Sequence, residues 1–105
     1  MATFYLKTGD TLPHLEAVLS DDEDNPINLE GASARLRLHE PRGGGVALES
    51  LASVVDAEEG IVRYDWNDGD TDETGRFRLD FEVEYANGDS ETFPSDGYHD
   101  LVISD

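Results

Sequence analysis

A chain of 105 residues with 25 acidic and seven basic side chains carries a net charge of -18, which excludes nucleic acid and anionic lipid as partners because neither phosphate surface would be neutralised. The absence of cysteine excludes disulfides, thiolate metal sites and cysteine nucleophiles. No apolar run approaches the ~20 residues of a membrane-spanning helix, and no basic-then-apolar leader precedes the first strand-like residues.

Short segments that alternate apolar and polar residues recur between turn signals, the pattern of half-buried strands. The first is Phe4-Tyr5-Leu6-Lys7, ended by Gly9-Asp10. His14 to Ser20 is the second, with Leu15, Ala17 and Leu19 on one face. Val18 interrupts its polar face, so this strand is expected to be covered on both sides or to lie near a partner. Asp21-Asp22-Glu23-Asp24-Asn25-Pro26 is an acidic loop closed by a proline that cannot donate to a ladder.

The clearest alternation of the first half follows Gly31. Ala34, Leu36 and Leu38 point one way, and Ser33, Arg35, Arg37 and His39 the other. Pro41-Arg42-Gly43-Gly44-Gly45 is expected to be a mobile loop. Leu48, Leu51, Ala52 and Val55 have helical spacing, but the β-branched pair Val54-Val55 and the Glu59-Gly60 turn favour a strand from about Leu51 to Asp56. Its hairpin partner runs from Ile61 to Trp66 with Val62, Tyr64 and Trp66 inward.

In the last third, Phe77, Leu79, Phe81, Val83 and Tyr85 alternate with Arg76, Arg78, Asp80, Glu82 and Glu84. Asn87-Gly88 then supplies a pair suited to positive φ, Glu91-Thr92-Phe93 returns, and Tyr98 to Ser104 makes a final strand after Pro94-Ser95-Asp96-Gly97. About seven or eight short strands with turns every ~8–12 residues predict an antiparallel immunoglobulin-like β-sandwich. Leu, Ile, Val and Phe make 25 of the 105 residues, above the roughly 20 % below which a charged chain stays disordered. One folded domain over 1–105 is therefore expected.

The charge then has to be tolerated by that fold. The Debye length is ~10 Å at about 0.1 M salt and ~3 Å at about 1 M, against a radius of gyration of ~13 Å for a domain of this size. Dilute buffer leaves most of the acidic surface repelling itself, whereas brine limits repulsion to near neighbours. The balance fits an extreme halophile or its virus.

The ordered set Gly9-Asp10-Thr11-Leu12-Pro13, Asn28-Leu29-Glu30-Gly31-Ala32, Gly60-Ile61-Val62-Arg63-Tyr64-Asp65-Trp66, Asp70-Thr71, Gly75-Arg76-Phe77, Thr92-Phe93-Pro94 and Gly97-Tyr98 resembles the N-terminal immunoglobulin-like domain of the baseplate upper proteins of tailed bacteriophages. The resemblance spans nearly the whole chain and departs at Asn25-Pro26, where a glycine turn is expected. It implies a non-enzymatic virion component located in a tail or baseplate, making protein–protein contacts with other virion proteins in a symmetric multi-copy assembly. Capsid decoration on the head surface and a cation-binding surface adhesion module are the alternatives, and a homo-oligomer is compatible with all three.

No catalytic, cofactor-binding or metal residue is assigned. Nearly every acid alternates outward or sits in a loop, so the two carboxylates in unlike environments that glycosidase chemistry needs are not expected. His14, His39 and His99 lack the spacing of a metal cluster. Asp68-Gly69-Asp70-Thr71-Asp72 opens like a calcium loop, but Glu73 and Leu79 stand where that motif needs glycine and glutamate. A loose Ca²⁺ or Na⁺ site at this loop, by itself or shared with the acidic loop that starts at Asp21, is the remaining cation reading. The interface candidates are the loop that starts at Pro41, the Val18 face and the N-terminal strand.

Overall fold

The computed structural model describes residues 3–40, 45–94 and 97–105. It contains eight strands: β1 Thr3–Lys7, β2 Leu15–Val18, β3 Ser33–His39, β4 Val46–Asp56, β5 Ile61–Tyr64, β6 Gly75–Glu84, β7 Ser90–Phe93 and β8 His99–Ser104. No helix occurs among the described residues. The radius of gyration is 13.4 Å, as expected for one domain.

The strands form one hydrogen-bonded path in the order β1-β8-β6-β3-β4-β5-β2, with β7 on β6. Its centre is the β3–β6 ladder, where Ala34, Leu36 and Leu38 stand opposite Val83, Phe81 and Leu79. All six side chains point to the same face and are buried, which is what the alternation of both segments requires. Full burial of Phe81 alone is worth about 2–3 kcal/mol. Val62, Tyr64, Trp66, Phe77, Leu101 and Ile103 join them in a single core.

β4 is longer than the expected segment from Leu51 to Asp56. Its first part pairs with β3 from Val46 to Ala52, and its second part pairs with β5 from Ser53 to Asp56. One strand thus serves two layers, with a bulge at Val55 at the end of the second ladder. The helical spacing of Leu48, Leu51, Ala52 and Val55 does not mark one buried face: burial alternates along β4, with Leu48, Ala52 and Val54 half-buried and Leu51 and Val55 exposed.

The sheet is mixed, which corrects the fully antiparallel expectation. β1 runs parallel to β8, with Thr3 opposite Asp100 and Lys7 opposite Ser104. A parallel neighbour needs a long crossover, and here the rest of the domain provides it. The expected hairpins are present: β4–β5 through the turn ending at Gly60, and β6–β7 through Asn87-Gly88. Gly60 has φ +66°, and a Cβ there would lie 2.6 Å from the Leu19 carbonyl oxygen and 2.9 Å from that of Ile27. Only glycine fits that approach. The loop expected to be mobile falls mostly outside the described residues, as do Ser95 and Asp96.

Candidate functional site

The two acidic loops lie at opposite ends of the β2–β5 ladder, because Leu15 pairs with Tyr64 and Val18 with Ile61. The 68–72 loop follows the Tyr64 end, and the 21–26 loop follows the Val18 end beside Gly60. A cation site shared between them is therefore ruled out by register. Each loop also uses carboxylates to hold its own backbone. Asp21 Oδ1 accepts from the Glu23 and Asn25 amides at 2.9 Å each; these bonds, that of Asn25 first, hold the Asp21 carboxyl below its usual range. Asp70 Oδ2 accepts from the Tyr64 hydroxyl at 2.6 Å and the Asn67 amide at 2.9 Å. Burial first, then this carboxylate, raises the Tyr64 pKa. Among the described residues no three His, Cys, Asp or Glu side chains group to hold a metal ion.

The three histidines make separate contacts. His14 Nδ1 sits 2.8 Å from Asp65 on the surface. His99 packs edge-on against Phe4 at 5.9 Å. His39 belongs to a polar cluster that sequence alternation misplaces. Alternation puts Asp80 on a solvated outer face with Glu82 and Glu84, yet it is 3 % exposed. Arg37 stands directly opposite it in the ladder and donates from Nε to Oδ1 at 2.9 Å, while His39 Nε2 lies 3.0 Å from Oδ2. Arg37 also reaches Thr92 and Glu82, and Tyr98 packs edge-on against His39 under the Arg78 guanidinium. Hydrogen bonding to Asp80 is the leading cause that raises the Arg37 pKa. Asp80 is the β6 residue at which the neighbouring strand changes from β8 to β7. The segments that bring Thr92 and Tyr98 over the face bury it. Both carboxylate oxygens of Asp80 are taken, so this cluster is built for cohesion.

The acidic surface carries exposed apolar side chains along β4, at Val46, Leu51 and Val55, and near the N-terminal strand, at Tyr5 and Leu12. The stretch from Thr3 to Lys7 and the stretch from Thr11 to Leu15 hold no acid, and they flank the gap between β1 and β2, the two ends of the strand path. Tyr5 is 71 % and Leu12 61 % exposed there. Val18, expected to be covered on both sides or to lie near a partner, is not covered within the chain: it is 58 % exposed, and no described strand pairs with the outer edge of β2. Trp66 fills core volume as expected, but its buried indole N–H has no acceptor among the described residues. That feature depends on what surrounds the ring, and nothing in the sequence announces it.

No protein-family model and no curated protein matches the sequence. Among solved structures, CopC from Methylosinus trichosporium OB3b is similar, with a TM-score of 0.52 at 10% identity over 99% of this chain and 85% of CopC. At that identity the likeness shows the fold alone.

Proposed function

We propose that this chain is a non-enzymatic structural protein, an immunoglobulin-like β-sandwich that joins neighbouring proteins in the tail or baseplate of a tailed virus of a salt-loving host. One observation carries the contact role: Tyr5 is exposed on the edge strand β1, whose outer side has no partner among the described residues, and Leu12 is exposed in the loop beside it, on a protein whose surface is otherwise rich in acids. Exposed apolar side chains at a strand edge favour protein contact. Strand order supports the immunoglobulin-like reading. β2–β5–β4 follows the B–E–D arrangement, and β3–β6–β8 the C–F–G arrangement, of such domains. The resemblance to baseplate upper proteins supports the virion, and the net charge of -18 supports the saline host. The carboxylate of Asp80 is fully engaged by Arg37 and His39, which leaves it unavailable as the second acid of a hydrolytic pair.

A cryo-EM map of the particle that carries the chain tests this reading. Density for the domain in several symmetry-related copies at the tail or baseplate is the expected result. A regular array on the head would assign it to capsid decoration instead, and its absence from particles would refute the virion role.

A further inference from the structure

The gap between β1 and β2 is a groove. Thr3, Phe4 and Tyr5 form one wall, Pro13 and Leu15 the other, and Trp66 lies among the lining residues, around a volume of about 270 Å³. A second hollow of about 310 Å³ extends it past Tyr5 and Leu6 to Lys7, Asp10 and Leu12. Along this groove β1 is hydrogen-bonded on one side only, to β8. The outward amides and carbonyls of a half-paired strand are a template for one more strand.

Two further observations narrow the occupant. Tyr64 packs edge-on against Trp66 at 5.0 Å, so the indole is fixed in orientation while its N–H lacks an acceptor among the described residues. A main chain settling in the groove therefore meets a ring that is held in place. The charges at the margin are asymmetric. Lys7 Nζ is engaged by the Asp105 carbonyl, and His14 and Arg63 both contact Asp65. Exposed Asp10 and Glu16 have no ion pair among the described residues. The first hollow is thus mainly apolar, and the second reaches Lys7 and Asp10. The flanking acids Asp10 and Glu16 form no ion pair among the described residues, although Arg63 stands opposite Glu16 in the ladder and is taken by Asp65.

We propose that this groove takes up an extended segment of a different protein, apolar at alternate positions and basic at its flanks, as an added strand on the outer edge of β1. A second copy is a poor occupant, since each copy brings a charge of -18 and a single lysine to meet Asp10 and Glu16. At molar salt only contact-range pairs escape screening. Apolar burial and main-chain hydrogen bonds then supply the affinity, and the marginal carboxylates select the partner. The proposal rests on the reading of the chain as a contact protein. Its test uses the isolated chain, so it can fail while a particle map still places the chain in a virion.

The probe is a capped heptapeptide of alternating valine and threonine with a lysine at each end, titrated at about 0.1 M and about 3 M KCl. Trp66, the one tryptophan, reports occupancy by fluorescence and by its indole resonance, and amide exchange reports pairing of β1. Expected are a saturable Trp66 response at both salts and exchange of the outward amides of β1 slowed at least about tenfold. A glutamate-flanked peptide should bind about tenfold more weakly at the lower salt. Leu12→Lys should weaken binding about tenfold with an unchanged melting temperature, and Asp10→Asn with Glu16→Gln should erase the preference for lysine flanks. Four results overturn the proposal: no saturable response, binding without protection of β1, equal binding of the two peptides, or peptide-free self-association that protects β1, which would give the groove to a second copy.

Discussion

The β3–β6 ladder and the β1–β2 gap are built from similar strand material and end in opposite states. In the ladder both strands have neighbours on each side, one face closes over Leu36, Leu79 and Phe81, and the other over Asp80 with Arg37 and His39. At the gap two strand edges lack neighbours among the described residues, and Tyr5 and Leu12 face solvent. The difference separates cohesion from contact. Substitutions in the ladder should remove the fold, whereas substitutions at the gap should leave it standing and alter what it binds.

The sharpest way to break that separation is by mutation. Phe81→Ala should cost about 3–5 kcal/mol in urea unfolding, as an unfilled core cavity does. Asp80→Asn should cost about 1.5–3 kcal/mol, because it removes the charge that half-buried Arg37 bonds at 2.9 Å and leaves only Glu82, at 3.5 Å, as its charge partner. Tyr5→Thr and Leu12→Thr should each stay within about 0.5 kcal/mol of the parent. Comparable losses at Leu12 and Phe81 would erase the distinction. Gly60→Ala comes next, with a loss above about 1 kcal/mol from a left-handed backbone and contact with two carbonyls. Gly88, also at positive φ, has open space where a Cβ would project, so Gly88→Ala should cost less than Gly60→Ala.

Smaller effects follow from charge. Raising KCl from about 0.1 M to about 3 M should lift the melting temperature by ~5 °C or more, equivalent to about 1 kcal/mol for a domain of this size. A flat salt series would remove the halophilic reading while leaving the fold intact. Acid should weaken the fold modestly through His99. Burial is the main cause that holds its pKa below 6.5, against the opposing pull of Asp100 and Asp80. The unfolded chain therefore takes up this proton first, and stability is lost as pH falls through 6.5 toward the lower folded value. His99→Phe should reduce that loss in urea midpoints compared at about pH 7.5 and about pH 5.5.

Much of the fold is legible in the residues because alternation states which side chains go inward. Ala34, Leu36 and Leu38, then Val62, Tyr64 and Trp66, then Phe77, Leu79, Phe81 and Val83 are all placed correctly by period alone. Period two says nothing of a neighbour's direction, so the parallel β1–β8 pair is invisible to it. It also equates the second face of a strand with solvent. At Asp80 that fails, since Thr92 and Tyr98 come from later segments to cover the face. The two aspartate-rich loops look alike as sequence, but only the β2–β5 register shows that they sit at opposite ends. The groove is the least legible feature. It depends on which strand ends the path and on the packing that leaves the Trp66 N–H without an acceptor among the described residues.

Residue-resolved amide exchange of the free chain tests the separation of cohesion from contact most directly. Amides of β3 and β6 should exchange only through global unfolding, while the outward amides of β1 and β2 exchange by local opening orders of magnitude faster. Uniform protection across all four strands, with the β1 edge as slow as Leu36 and Phe81, would contradict it.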